Sequence, residues 1–208
     1  SIQSLIVAPR NSSIVYAGTG DGVLKSINAG MRWFRIGLEG KFIETLALDP
    51  QNNDILYAGC SDGLYQSIDA GNQWKLIIKD KLIRSVLIDP DTPTILYVAT
   101  PIGVFKSQTR GIDWENLYKG ISSTALLLEP LQPSIVYLGS SNGILKSMDG
   151  GNHWLSIQEG LPDQEITALA TSPQHSFLYA GTANEGLYKS SKEPIVWKPL
   201  NKGLLSEG

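Results

Sequence analysis

A tryptophan returns every forty-odd residues along this chain, and that interval constrains the fold more than any other feature. The 208 residues hold five tryptophans, Trp33, Trp74, Trp114, Trp154 and Trp197, spaced 41, 40, 40 and 43 apart. Seven residues before each stands a serine: Ser26, Ser67, Ser107, Ser147 and Ser190. A glycine lies four residues before each serine, at Gly22, Gly63, Gly103, Gly143 and Gly186. Further upstream, Tyr16, Tyr57, Tyr97, Tyr137 and Tyr179 keep the same step, as do Pro9, Pro50, Pro90, Pro130 and Pro173. Five residue types in phase through five copies mark a repeat architecture. The copies run approximately 1–41, 42–81, 82–121, 122–163 and 164–205, which leaves room for one repeat domain over 1–208 and no linker.

Each copy divides into four short strand-like runs. The second reads ETLALDP, DILYAG, GLYQSID and QWKLIIK. Its first run is apolar on both faces (Leu46, Ala47, Leu48), as in a strand covered on both sides. The next two contain aromatics and are bounded by Gly, Asp, Asn and Pro. No helical period of useful length competes. Four strands per forty residues predict an all-β fold, a five-bladed β-propeller of four-stranded antiparallel blades. Composition agrees, with 42% hydrophobic and 18% charged residues, enough apolar material for a core. A net charge of −3 without a basic run gives no electrostatic case for nucleic acid. No apolar stretch reaches the 18 or so residues of a membrane-spanning helix.

The stretch from serine to tryptophan resembles the Asp-box, or BNR repeat, S-x-D-x-G-x-x-W. Ser67, Asp69, Gly71 and Trp74 match it fully, as do Ser147, Asp149, Gly151 and Trp154. The first copy, with Ser26, Gly30 and Trp33, carries Asn28 in the Asp place; the third, with Ser107, Gly111 and Trp114, carries Thr109. The fifth keeps Ser190 and Trp197 but has Lys192 and Pro194 instead of Asp and Gly. The wider unit is similar to photosystem II assembly factor-like, sortilin-like and xyloglucanase-type repeat proteins. That resemblance implies a structural hairpin between the third and fourth strands, on the face opposite the ligand site. Asp or Asn would hold turn amides, glycine the positive φ, and tryptophan the wedge between blades. It also leans toward an extracytoplasmic setting.

Strand order then sorts the loops. The turns between second and third strands, and the linkers between copies, share the face away from the serine–tryptophan turns. If the first strand lines the channel, as the resemblance implies, its opening residues ring a mouth there: Gln3, Glu44, Arg84, Thr124 and Thr167, with Glu165 beside the last. They are polar and differ from copy to copy on a constant frame, which is where a ligand site is expected. A solvated rim is the plainer reading.

Enzymatic chemistry finds less support. A sialidase needs three clustered arginines, but Arg10, Arg32 and Arg110 belong to the opposite face, Arg35 to an outer strand, and Arg84 alone to the mouth. A glycosidase needs two facing carboxylates, for which Glu44, Asp163 and Glu165, with Asp62 and Asp80 further out, are the candidates. His153 and His175 have no second ligand at metal-binding spacing, and no cofactor motif is legible. Cys60, the single cysteine, stands where other copies carry Thr or Ser and reads as a buried small residue.

The expectation is therefore a non-enzymatic binding or scaffold propeller, acting in protein assembly or glycan recognition through the channel mouth. Its partner is an unspecified protein or glycan, with no nucleic acid and no membrane span. A glycoside hydrolase-like enzyme and a structural or engineered fragment of a longer propeller are the alternatives. Two structural expectations follow. Trp74 and Trp154 should be largely buried between blades. Leu5, Leu46, Val86, Leu126 and Leu169 should point alike, giving a monomer if blade five packs on blade one.

Overall fold

Short runs of β-branched and aromatic residues, punctuated every five or six positions by Gly, Asp or Asn, can satisfy their backbone groups only by pairing with their sequence neighbours. The computed structural model shows that outcome for residues 1–172, 174 and 176–204; Pro173 of the repeat frame, His175 and the last residue of the fifth copy lie outside the described residues. Blade one contains β1 (Ile2–Val7), β2 (Val15–Thr19), β3 (Gly22–Ser26) and β4 (Phe34–Arg35). Blade two contains β5 (Ile43–Leu48), β6 (Leu56–Cys60), β7 (Gly63–Ser67) and β8 (Lys75–Lys79). β9 (Ser85–Ile88), β10 (Leu96–Thr100), β11 (Gly103–Ser107) and β12 (Glu115–Lys119) form blade three. β13 (Ser123–Glu129), β14 (Gln132–Ser140), β15 (Gly143–Ser147) and β16 (Leu155–Ser156) form blade four. β17 (Ile166–Thr171), β18 (Phe177–Thr182), β19 (Leu187–Ser191) and β20 (Lys198–Pro199) form blade five. In each blade the strands pair in sequence order as a four-stranded sheet, with every resolved pairing antiparallel. The fold is the five-bladed β-propeller of four-stranded antiparallel sheets that the repeat predicts.

The chain divides into two compact units, one of residues 1–100 and 105–116, the other of residues 101–104 and 117–208. Within each unit, the blades meet by one recurring device. The second strand of a blade presents a glycine, and the next blade's first strand lays an isoleucine on it. A β-carbon at Gly18 would lie 2.7 Å from Ile43, at Gly59 2.7 Å from Ile83, and at Gly139 2.8 Å from Ile166. Glycine is required there because two sheets approach closer than any side chain allows. Tyr16, Ile43, Leu46, Leu56 and Ala58 form the core between blades one and two.

The serine–tryptophan turns are built as their residue types suggest. In the second, Ser67 Oγ accepts from the amides of Asp69 (3.3 Å) and Gly71 (2.9 Å) and donates to Asp69 Oδ1 (2.8 Å). Asp69 Oδ1 accepts from the Gln73 amide at 2.8 Å. Asn28, Thr109 and Asp149 repeat the last bond to Arg32, Asp113 and His153. The fifth turn differs: Ser190 Oγ accepts from Val196, six residues on, and Lys192 leaves the turn to pair with buried Glu129 of blade four.

The tryptophans depart from expectation. Trp74 and Trp154 are half-buried, like Trp33 and Trp114, and only Trp197, after the altered turn, is fully buried. The four half-buried tryptophans stay partly open to solvent; Trp74 Nε1 donates to the Ile36 carbonyl of the preceding blade at 3.0 Å. Leu46, Val86 and Leu126 are buried at matching register positions and Leu169 is half-buried, but Leu5, in the same register, is 59% exposed.

Candidate functional site

A β-bulge places four of the candidate mouth residues. β1 skips register between Ile2 and Ser4, β5 between Ile43 and Thr45, β13 between Ser123 and Ala125, and β17 between Ile166 and Ala168. The residues skipped are Gln3, Glu44, Thr124 and Thr167. In blade three the amide of Arg84 donates to the Ala99 carbonyl at 3.0 Å while Ser85 is the residue paired with Ala99, so Arg84 holds the same place. A bulged residue belongs to neither face of its strand, and the bend re-aims its side chain. The repeat thus carries polar residues of differing type at this first-strand position.

In the first unit, Gln3 is exposed and its amide nitrogen donates to Ser1 Oγ at 2.9 Å. Glu44 and Arg84 are half-buried. Glu44 lies close enough to the Cys60 thiol for its charge to help raise the thiol pKa. A polar cluster neighbours it. Lys41, on the linker into β5, pairs with Asp62 of the β6–β7 turn. Tyr65 Oη donates to Asp62 Oδ2 at 2.9 Å, and the Lys41 ammonium stands 5.3 Å from the Tyr65 ring centroid. Lys41 and then Tyr65 hold the Asp62 carboxyl below the usual carboxylate range, against some desolvation, and Asp62 in turn raises the Lys41 pKa. Asp62 Oδ1 is shielded from solvent and has no donor among the described residues. On the neighbouring turn, Asp21 takes the Gly40 amide (2.7 Å) and the Arg35 guanidinium (2.8 Å), which together lower its pKa.

Lys41 and Tyr65 were not legible as site residues. Asp62 was the only pointer to them, since nothing in the sequence says that a linker lysine and a third-strand tyrosine meet one turn carboxylate. Cys60 is fully buried, and burial followed by the Asp62 charge pushes its thiol up to about 12. In other copies the hydroxyl at this place ties the turn: Thr19, Ser140 and Thr182 Oγ donate to the carbonyls of Gly22, Gly143 and Gly186. The thiol makes no such bond, consistent with a small space-filling residue.

In the second unit, Thr124 Oγ1 donates to the carbonyls of Gly139 and Ile166, clasping blade four to blade five. Its hydroxyl is committed to the frame. Thr167 is exposed, its Oγ1 donating to the Gly181 carbonyl at 3.3 Å, and half-buried Glu165 accepts the Ala183 amide through its own carbonyl. Thr124, Glu165 and Thr167 therefore come together around the start of β17. Arg110, on the opposite face, is a structural cation: its guanidinium meets buried Asp49 Oδ2 at 2.7 Å. His153 Nδ1 sits 2.6 Å from Asp149 Oδ2 inside its own turn. Among the described residues, no group of three His, Cys, Asp or Glu side chains suited to a metal occurs and no helix is long and apolar enough to cross a membrane.

No protein-family model and no curated protein matches the chain. Solved structures do. An ancestral GH74 enzyme superposes with a TM-score of 0.87 at 24% identity, covering 98% of this chain and 31% of that one. The GH74 xyloglucanase from Xanthomonas campestris gives 0.79 at 16%, covering 95% and 37%. The chain thus spans about a third of the length of these enzymes. YCF48 bound to D1 peptide gives 0.71 at 14%, covering 96% of this chain and 68% of that one. At such identities the likeness is one of fold, and the fold is the β-propeller.

Proposed function

We propose that the chain is a non-enzymatic binding or scaffold module of the Asp-box type, taking a polar peptide or glycan segment at the bulge positions of its first strands. The observation that carries this reading is the register skip at Gln3, Glu44 and Thr167, with Arg84 in the matching place, which leaves polar residues of differing type out of the strand ladder. The Lys41–Asp62–Tyr65 cluster adds donors and acceptors beside Glu44. Asp62 and Asp21 are held ionised by cations and amides, which suits acceptance of hydrogen bonds rather than acid catalysis. A precedent for peptide binding is the structure of YCF48 bound to D1 peptide.

The rival is a glycoside hydrolase, favoured by the likeness to GH74 enzymes. It requires two carboxylates about 5–10 Å apart, one of them kept protonated. Peptide and glycan arrays, with sugar release from xyloglucan followed in parallel, separate the two. The expected result is saturable binding without turnover, weakened about tenfold or more by Arg84→Ala through loss of a charge-assisted hydrogen bond. Sugar release abolished by Glu44→Gln would overturn the proposal.

A further inference from the structure

Only the second and fourth serine–tryptophan turns carry the full S-x-D-x-G-x-x-W set, and they differ in what surrounds the carboxylate. In the fourth, both Asp149 oxygens are engaged. Oδ1 accepts from the Ser147 hydroxyl and the His153 amide, and Oδ2 stands 2.6 Å from His153 Nδ1. In the second, Gln73 stands in the place of His153. Asp69 Oδ1 is engaged as its counterpart is, by the Ser67 hydroxyl and the Gln73 amide, but Oδ2 has no partner among the described residues. The Gln73 amide leads in holding this carboxyl below the usual carboxylate range, so Oδ2 accepts hydrogen bonds and has no proton to give.

The third strand of the same blade also departs from its siblings. Lys25, Lys106 and Lys146 each set an ammonium over the tyrosine ring beside them, 5.2, 5.3 and 5.8 Å from its centroid. β7 has the shorter Gln66 at that place. Its Nε2 donates to Tyr57 Oη at 3.0 Å and to the Arg110 carbonyl at 3.3 Å, which leaves Oε1 without a donor among the described residues.

Both departures open on one groove of about 410 Å³, lined by Gln66, Ile68, Asp69, Gln73, Trp74 and Lys75. Gln66 and Lys75 are direct partners in the β7–β8 ladder, so they stand on the same side of the hairpin. The side chains of Gln73 and Lys75 are exposed and make no hydrogen bond or ion pair among the described residues. Trp74 is half-buried, and its Nε1 is already committed to the Ile36 carbonyl, so the indole offers ring carbon alone. Ile68, 70% exposed, adds aliphatic surface. The volume falls in the range of small-ligand sites, about 300–1,000 Å³.

This lining selects a kind of ligand. Free acceptors (Gln66 Oε1, Asp69 Oδ2), a free ammonium and a free amide surround aromatic and aliphatic carbon. One carboxylate and one ammonium balance, so a neutral ligand leaves no net charge unmatched, whereas a purely apolar one would strip water from these groups without replacing its hydrogen bonds. Adjacent hydroxyls on a ring with an apolar C–H side meet both demands. We propose that the groove of blade two is a binding site for a neutral sugar, with the pyranose ring against Trp74 and Ile68 and its hydroxyls on Gln66, Asp69, Gln73 and Lys75. It lies at the opposite end of β7 from Asp62 and does not depend on the reading of the mouth.

Fluorotryptophan incorporated throughout the chain gives each indole its own fluorine resonance, and Trp74→Phe and Trp197→Phe assign two of them. Titration with maltose, cellobiose and lactose, each to about 50 mM, should shift the Trp74 resonance saturably with at least one sugar, at a Kd of roughly millimolar order, and leave that of Trp197 in place. Gln73→His gives Asp69 Oδ2 the partner that Asp149 has, and Lys75→Ala removes the ammonium. Each should weaken binding about fivefold or more, with the urea midpoint unchanged, as loss of one hydrogen bond implies. Arg84→Ala, at the mouth, should leave the titration as it is. The proposal is overturned if no sugar moves the Trp74 resonance, or if the shift persists in both groove variants. It is equally overturned if Arg84→Ala abolishes the shift, or if glycyl-lysyl-glycine produces it and none of the sugars does.

Discussion

The left-handed backbone of the serine–tryptophan turns is where single residues matter most. Two consecutive positions in each of the first four turns have positive φ. The second is always glycine, but the first is Ala29 (55°), Ala70 (59°), Arg110 (57°) or Gly150 (70°). A β-carbon in this region costs about 1 kcal/mol or more. Ala70→Gly should therefore stabilise the protein by about 0.5–1 kcal/mol despite the added freedom of the unfolded chain, measured by urea unfolding. The fourth turn shows that the frame accepts glycine there. Arg110 is the exception, because its side chain is held by Asp49 across the blade junction. Arg110→Gly should lose more through that pair than it gains in φ. Residue types of this kind were legible: Ser, Asx and Gly at fixed offsets state a turn and its bonds. The Arg110–Asp49 and Lys192–Glu129 pairs were not, since their members stand 61 and 63 residues apart.

At the level of strands and hairpins, the repeat made the four-stranded unit readable but overstated its outer strand. β8 and β12 run five residues, whereas β4, β16 and β20 run two. The run after each tryptophan is half solvated and lies at a sheet edge, so its apolar alternation is weak evidence of pairing length. The fifth hairpin, with Lys192 and Pro194 in the Asp and Gly places, breaks the hydrogen-bonding pattern of the other four. What replaces the lost Asp is an ion pair with a carboxylate whose side chain is 8% exposed. Lys192→Ala removes the ammonium from that buried carboxylate and should cost about 3 kcal/mol. Lys192→Met, which retains the buried stem, should cost nearly as much if charge rather than packing is the cause. Chemical denaturation of both variants against the parent decides this.

Over the whole chain, electrostatics gives stability a sign. Hydrogen bonds from the Gly40, Gln73 and His153 amides lead in lowering Asp21, Asp69 and Asp149, and the Lys41 contact leads in lowering Asp62. Each carboxyl therefore titrates lower in the folded state than its unfolded value of about 4. The stability they contribute is present above about pH 4 and drains away as pH falls through the folded values. Thermal unfolding between pH 6 and 2 should show a plateau and then a decline below pH 4. The double variant Asp69→Asn with Asp149→Asn should decline less steeply, because Asn28 shows that an amide can hold the same turn. Sequence reasoning reached the fold because the repeat states it five times. It could not reach the Lys41–Asp62–Tyr65 cluster, because a repeat frame does not say which of its variable side chains meet.

The register skip at the head of each first strand carries a last consequence, for how such a protein changes over time. Because the skipped residue is left out of the strand ladder, its identity answers less to strand pairing than its neighbours' do. Glutamine, glutamate, arginine and threonine already occupy it in different blades of one chain. On the proposed reading of these positions, selection can change recognition at one blade without altering the strand pairing of the others. A library randomised at Gln3, Glu44, Arg84 and Thr167 would sample new specificities on a frame that stays constant.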